Sequence, residues 1–239
     1  MRVSLFVTCL VDQFCPEVAL GVVTVLDRLG VASDFPAGQT CCGQPAFNSG
    51  CVDEARRVGR QFLRAFRDAE VIVAPSGSCL EMAQRYLPSL FPPGSGERAD
   101  AEAIAGRLHE FSSFLVDVLK VTDVGARFPH RVTYHDSCHL LRGLGVREQP
   151  RRLLAAVHDL ECVPLAASDT CCGFGGTFAV KYPDISEAMG QDKLGNLART
   201  GAEYLVAGDI SCLLHLRGML ARQAFPAGAL HLAELLAKE

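Results

Sequence analysis

Eight of the eleven cysteines in this 239-residue chain follow one pattern that occurs twice. In each copy a single cysteine precedes a Cys-Cys-Gly triplet, and a further single cysteine follows it. The two sets are Cys9, Cys41, Cys42 and Cys79 in the first copy, and Cys138, Cys171, Cys172 and Cys212 in the second. Four thiolates suit Zn²⁺ or an iron–sulfur cluster, since both prefer soft sulfur ligands. The pattern therefore predicts two metal sites of four thiolates each.

The spacing of the cysteines favours an iron–sulfur cluster over zinc. Structural zinc sites commonly use Cys-x₂₋₄-Cys pairs, because one small ion needs tight local loops. Here more than 30 residues separate the successive ligand positions, and two ligands of each set are adjacent in sequence. Adjacent thiolates are awkward around one tetrahedral ion but can bind different irons of a cluster. The alternatives are a zinc-stabilised interaction scaffold and a dithiol–disulfide switch at a doublet, which would form a strained ring.

The remaining cysteines and the composition set the broader class. Cys15, Cys51 and Cys162 lie outside the pattern, and we interpret them as buried free thiols of the core. An odd number of cysteines without a recognisable signal peptide favours a reducing compartment, so we expect a cytoplasmic protein. The chain has no 18-residue apolar run, which predicts no transmembrane segment. Its net charge of −4 argues against nucleic-acid binding.

Internal duplication is the main feature of the chain's organisation. Matching cysteines are offset by 129, 130 and 133 residues, and both halves close with a similar string that begins at His109 or His231. Apolar, β-branched runs at 2–8, 71–74, 131–135 and 204–207 predict buried strands. Helical patterns lie between them, at 16–29, 51–67, 79–90, 110–120, 178–199 and 211–223. This alternation predicts an α/β fold of two tandem Rossmann-like parallel-sheet units, 1–125 and 126–239, related by a pseudo-two-fold axis.

The predicted strands explain how distant cysteines could meet. In parallel sheets, ligands bind outside the carboxyl ends of the strands. Cys9, Cys79, Cys138 and Cys212 each follow a predicted strand, so we expect them at that edge. Cys79 and Cys212 are also expected to begin helices, whose N-termini favour a thiolate. Glycine after each doublet permits close approach of the backbone to a bulky cluster.

The duplicated pattern Cys-x₃₁-Cys-Cys-Gly-x₃₅-Cys resembles the CCG cysteine-rich domain of the B-type heterodisulfide reductase polypeptide and related iron–sulfur proteins. The length of the chain and the strings Tyr134-His-Asp-Ser-Cys-His139 and Cys171-Cys-Gly-Phe-Gly-Gly-Thr-Phe178 are similar to the lactate-utilisation protein A family. The resemblance implies an electron-transfer component, and hence an oxidoreductase component, of a system that oxidises L-lactate to pyruvate. It implies one or two iron–sulfur clusters, of the [4Fe–4S] type, held by the eight patterned cysteines. It also implies two partners, the lactate-utilisation proteins B and C.

The chain departs from the heterodisulfide reductase pattern at one position in each half. That family ends each motif in Cys-x₂-Cys, whereas here the first cysteine of the pair is replaced by Ser76 and by Asp209. The missing fifth thiolate argues against direct disulfide reduction, which stays the second functional hypothesis, and leaves open an oxygen ligand from Ser76 or Asp209. His135, Asp136 and His139 flank Cys138 and could tune a cluster, take part in proton transfer or only line the pocket.

Overall fold

The computed structural model describes residues 1–239 as two four-stranded sheets, each entirely parallel. The strands of the first sheet are β1 (Arg2–Leu5), β2 (Ala32–Asp34), β3 (Ile72–Ala74) and β4 (Leu108–Glu110). Those of the second are β5 (Arg131–His135), β6 (Glu161–Val163), β7 (Tyr204–Ala207) and β8 (Gly228–His231). The strand orders are β2-β1-β3-β4 and β6-β5-β7-β8. This identical order in both sheets confirms two tandem Rossmann-like units.

Helices connect the strands, as parallel pairing requires. In the first half they are α1 (Cys9–Phe14), α2 (Pro16–Arg28), α3 (Gln44–Asn48), α4 (Val52–Phe66), α5 (Gly77–Glu81), α6 (Gly96–Ala105) and α7 (Phe111–Ser113). In the second half they are α8 (Glu148–Ala155), α9 (Thr177–Lys181), α10 (Pro183–Ala198), α11 (Ile210–Arg222) and α12 (Leu232–Leu236). Wider π-helical turns occupy Met82–Tyr86, Phe114–Val118 and His139–Leu144, and a 3₁₀ turn occupies Pro88–Leu90. No helix combines the length and apolarity needed to cross a bilayer.

The two halves pack through equivalent elements used reciprocally. Helix α2 of the first half contacts α12 of the second, while α8 of the second half contacts α7 and the 114–118 turn of the first. This exchange is the arrangement expected of a local two-fold axis. A core of 29 buried residues, drawn from both halves, fills the contact. The division between residues 125 and 126 stays a prediction.

Residues near the axis also meet through the backbone. Ser76 and Asp209, at matching positions of the two halves, form an antiparallel bridge. The Asp209 carboxylate accepts hydrogen bonds from the backbone N–H of Ser78, at 2.7 Å, and of Ser211, at 3.0 Å. It therefore caps α5 of the first half and α11 of its own half at once, which aligns the two helices that carry Cys79 and Cys212.

The expected match between His109 and His231 is wrong by one residue. Register pairs Ala74 of β3 with Glu110, and Ala207 of β7 with His231, so the structural counterpart of His231 is Glu110. Both side chains are buried and both accept a hydrogen bond from the first turn of the following helix, at Ser113 and Ala233. An alignment of the two half-sequences pairs His231 with His109 instead, because Glu110 and His231 differ in residue type although they perform the same capping role.

Burial shifts the pKa values of this pair in opposite directions. The pKa of Glu110 rises from 4.5 to about 7, because burial disfavours the carboxylate, and nearby Asp209 adds to the rise. The pKa of His231 falls from 6.5 to about 4, because burial disfavours the imidazolium. Glu110 therefore contributes stability below pH 4.5 that is lost as the pH rises through 7. His231 contributes stability above pH 6.5 that is lost as the pH falls through 4.

The pH dependences that Glu110 and His231 give to the stability are opposite and should cancel between pH 4.5 and 6.5. In this window the two residues together bind one proton in the folded state and one in the unfolded state. We expect Glu110→Gln to leave a chain that loses about 3 kcal/mol of stability as the pH falls across this window, and His231→Gln to leave one that gains a similar amount. Urea unfolding midpoints at pH 4.5, 5.5 and 6.5 measure both slopes. Variants that kept the pH profile of the parent protein would contradict the assignment.

Candidate metal centres

The strand order places each set of four cysteines at a topological switch point. In both sheets the chain turns in opposite directions from the two central strands, and a crevice opens at their carboxyl ends. Cys9 and Cys79 follow the central strands β1 and β3, and Cys138 and Cys212 follow β5 and β7. The doublets follow the neighbouring strands β2 and β6. Three separate loops thus converge on one crevice in each half.

In the first half the four thiols lie against one another. The Sγ atoms of Cys9 and Cys41 are 3.6 Å apart, although the residues are 32 positions apart in sequence. The thiol of Cys42 contacts those of Cys41 and Cys79. Cys42 and Cys79 are buried in a core cluster in which residues of this half predominate, whereas Cys9 and Cys41 are partly open to solvent.

The second half repeats this arrangement. Cys171 contacts Cys138 and Cys172, and Cys172 also contacts Cys212. Cys172 and Cys212 are buried in a separate core cluster, and Cys138 and Cys171 are partly exposed. The structure therefore brings together all eight cysteines in the two sets that the sequence predicts. Their role as metal ligands stays a prediction.

One thiol of each doublet is strongly favoured as a thiolate. The pKa of Cys41 falls to about 3 because the thiols of Cys42 and Cys9 and the N–H of Gly43 donate hydrogen bonds to its sulfur. The pKa of Cys171 falls to about 2 through the same arrangement, with Cys138, Cys172 and Gly173 as donors. The thiolate is the metal-binding form of cysteine, so each doublet presents a soft anionic ligand at neutral pH.

Each half also leaves a buried hydroxyl without a partner beside its first cysteine. Thr8 precedes Cys9 and Ser137 precedes Cys138, and both hydroxyl groups are buried with no hydrogen bond to the protein. Buried polar groups of native proteins are nearly always hydrogen-bonded, so a matched pair of exceptions at two cysteine-lined crevices needs an explanation. A group rich in sulfur acceptors, bound in each crevice, fits this donor set.

A side-chain contact links the two crevices. Glu81 lies two residues after Cys79, and its carboxylate is hydrogen-bonded to Nδ1 of His139, which directly follows Cys138. Glu81 is buried and His139 is about one-third exposed. This contact spans the interface between the halves, so the two sites are connected through two short stretches of chain and one hydrogen bond.

Other residues singled out by the sequence lie outside the crevices or have protein partners. Asp136 forms a bidentate ion pair with Arg151 at 2.7–2.8 Å, and both oxygens of Asp209 serve helix caps. Cys15 is buried, as expected. Cys51 and Cys162 are exposed, which corrects their interpretation as core thiols: one precedes α4 and the other lies on the edge strand β6.

The second crevice contains two buried basic groups: His135, which the sequence places beside Cys138, and Lys193, which the sequence did not assign to the site. His135 is completely buried, and its ring lies with the sulfurs of Cys172 and Cys212 in a group whose ligand atoms are all within 4.8 Å of one another. Lys193 is also completely buried, and its ammonium donates to the carbonyl oxygens of Ala167 and Ser168 at 2.6 and 3.2 Å. A lysine on a predicted helix is expected to face solvent. Only the spacing of Lys193 relative to the other buried positions of α10 could have indicated that it is buried.

Comparison with known proteins supports the internal duplication and shows the family to which the chain belongs. The sequence model of the CCG cysteine-rich domain family matches residues 3–83 and again residues 132–217. Lactate utilization protein A of Geobacillus kaustophilus is 50% identical over 236 residues, which cover 99% of this chain and 98% of that protein. Lactate utilization protein A of Exiguobacterium is 48% identical over 237 residues, which cover 98% and 96%.

Among solved structures, a hypothetical protein from Helicobacter pylori has a similar fold. It aligns with a TM-score of 0.61 at 9% sequence identity and covers 98% of this chain. The chain spans about half the length of that protein, 48%. At this identity the likeness concerns the fold alone.

Proposed function

The chain belongs to the CCG cysteine-rich domain family that includes lactate utilization protein A, and from that premise we propose that it is an iron–sulfur electron-transfer component of an L-lactate-oxidising system. The observation that carries the proposal is the convergence of four thiols in each of two crevices. In this proposal Cys9, Cys41, Cys42 and Cys79 hold one [4Fe–4S] cluster, and Cys138, Cys171, Cys172 and Cys212 hold a second. The clusters supply one-electron chemistry when bound.

The residues of the chain would prepare each site for such a cluster. The left-handed backbone of Gly43 and Gly173 turns the chain directly after each doublet, and both thiols of the doublet would be ligands. The low pKa of Cys41 and of Cys171 supplies a thiolate without the need for an external base. Thr8 and Ser137 offer hydroxyl donors beside the site, and hydrogen bonds to sulfur tune the reduction potential of such clusters. Buried apolar side chains around Cys42 and Cys172 keep water from the inner face.

The link between Glu81 and His139 supports electron transfer between the two sites within one chain. It fixes the two crevices relative to each other across the interface. We propose that the chain accepts electrons of lactate oxidation from one partner protein and passes them to another. Proteins B and C of the lactate-utilisation system are the partners in this proposal, and the cytoplasm is its location.

Lactate-dependent reduction of the protein tests this function. We expect the visible absorbance of the anaerobically purified protein to bleach on addition of L-lactate when proteins B and C are present, and to stay unchanged when they are omitted. A Cys42→Ala/Cys172→Ala double variant is the control for absorbance that does not come from the clusters. Clusters that dithionite reduces but that L-lactate and both partners leave oxidised would contradict the proposed role.

A further inference from the structure

His135 has the geometry of a metal ligand in the second crevice. Its ring is completely buried at the end of β5, three residues before Cys138. Its Nε2 atom has no hydrogen-bond partner in the protein, and the ring lies within 4.8 Å of the sulfurs of both Cys172 and Cys212. Two bonds to one metal atom, of roughly 2.1 Å from nitrogen and 2.3 Å from sulfur, span a comparable separation.

The tautomer of His135 follows from its other nitrogen. Nδ1 lies 3.2 Å from the carbonyl oxygen of Ser168, which can only accept a hydrogen bond. In the neutral form of the ring, Nδ1 therefore carries the proton and Nε2 presents a lone pair. A lone pair cannot donate to a thiolate or to a cluster sulfide, but it can bind iron. Donation of the second ring N–H to a backbone carbonyl is the usual arrangement of a histidine that binds a metal.

The carbonyl that orients this ring is itself held by several groups. The Ser168 oxygen also accepts from the backbone N–H of Asp136, at 3.1 Å, and from the ammonium of Lys193, at 3.2 Å. The Ser168 hydroxyl donates to the Asp136 carboxylate at 2.7 Å, and Arg151 fixes that carboxylate by two further bonds. The direction of the Nε2 lone pair is therefore set by a connected, mostly buried network.

The first half replaces this arrangement with aromatic packing. The buried positions of α4 and α10 match at a constant offset of 131, which pairs Phe62 with Lys193. Phe6 stands three residues before Cys9, at the position of His135, and its ring packs edge-on against Phe62 with centroids 5.0 Å apart. The two crevices thus have equivalent sets of four cysteines, but they differ at the two buried positions that pack behind those cysteines. At these positions only the second crevice has an additional donor atom.

Resting on the proposed function, we propose that Nε2 of His135 is a fifth ligand to the cluster of the second site, which the first site lacks. The histidine would then supply the additional donor that the cysteine pattern does not provide. The buried ammonium of Lys193, whose counterpart in the first half is Phe62, places a positive charge behind the second site. A nearby positive charge would raise the reduction potential of a cluster bound there relative to one in the first site.

Pulsed EPR on protein labelled with ¹⁵N-histidine tests this assignment. We expect the reduced Cys42→Ala protein, which keeps only the second cluster, to give a ¹⁵N hyperfine coupling of the size found for directly bound imidazole. The addition of His135→Phe, which installs the residue found in the first half, should abolish that coupling. His130→Gln is the matched control, since His130 pairs with Glu203 just before the start of β5, away from the cysteines, and its removal should preserve the coupling.

The outcomes of this experiment distinguish a wrong assignment of His135 from the absence of iron–sulfur clusters. An iron signal with a ¹⁵N coupling only as large as that of a hydrogen bond would overturn the ligation of His135 and leave the clusters in place. A coupling that persisted in the His135→Phe protein would do the same. Absence of iron from the parent protein would instead refute the proposed function. The measurement on labelled Cys42→Ala protein with an intact His135 decides the matter even if His135→Phe fails to fold.

Discussion

Cys172→Ala should remove about half of the iron from the anaerobically purified protein and leave the other half bound. Cys172 lies between Cys171 and Cys212 and is buried in a core cluster that contains no residue of the first half. Three thiolates would remain in that crevice, while the four thiols of the first half keep their surroundings. Cys42→Ala should have the mirror-image effect, because Cys42 is the buried member of the other doublet.

The matched control is Cys162→Ala. Cys162 is exposed on the edge strand β6, outside both crevices, and its removal should leave the iron content unchanged. Iron and sulfide analysis of the variants, with EPR after reduction, measures the outcome. Loss of all iron from either single variant would mean that the cysteines share one site, and the assignment of two separate centres would have to be abandoned.

Substitution of the glycine that follows the second doublet should strongly destabilise the chain, whereas substitution of its counterpart in the first half should not. Gly173 has a φ of +96°, and a Cβ atom there would lie 2.3 Å from the backbone oxygen of Ser186. Gly43 has a φ of +88°, but its nearest neighbour would be 3.5 Å away, at the oxygen of Ala55. Gly173→Ala should therefore combine backbone strain with a clash against a helix that cannot move freely, and destabilise the chain by roughly 3 kcal/mol or more.

Gly43→Ala is the matched control, since it introduces the backbone strain without the clash. We expect it to cost about 1–2 kcal/mol and to leave the first centre loaded. Gly173→Ala should also release the second centre, because the turn that holds the doublet must shift. Urea unfolding and iron content per chain report the two effects. Equal losses in the two variants would show that the close approach to Ser186 has no energetic consequence.

The sequence predicts the central strands and the cysteine sets well, because both leave strong local signals. The runs before Cys9, Cys79, Cys138 and Cys212 are apolar and β-branched, and all four form the central strands of the sheets. The sequence does not predict β2, β4, β6 and β8, because they are edge strands of three or four residues, some of them partly exposed. Such short segments leave no periodic pattern that separates them from loops.

Helix prediction failed where local composition conflicted with tertiary context. The sequence does not predict the helix α6, which follows the Pro- and Gly-rich segment 92–95; Ser95 caps it by accepting from the N–H of Arg98. The helix predicted at 178–199 is divided at Tyr182, because Pro183 begins a new helix. Strand 2–8 is shorter than predicted, since Thr8 is the N-cap of α1.

The asymmetry of the two centres could not be predicted from the cysteine pattern. His135 and Lys193 occupy buried positions whose counterparts are Phe6 and Phe62, and this correspondence becomes visible only when the strands and helices are superposed by register. The pairing of Glu110 with His231 was hidden for the same reason. Duplicated sequence predicts a duplicated scaffold, whereas chemical differences between the copies arise from single substitutions at buried sites.

The metal and sulfide content of the protein, purified without exposure to air, tests the central claim most directly. Two four-thiolate centres predict about eight iron atoms and eight sulfides per chain, about four of each per site, with EPR signals after reduction. A colourless protein that contains stoichiometric zinc and no sulfide would contradict the account and would instead indicate a zinc-stabilised scaffold.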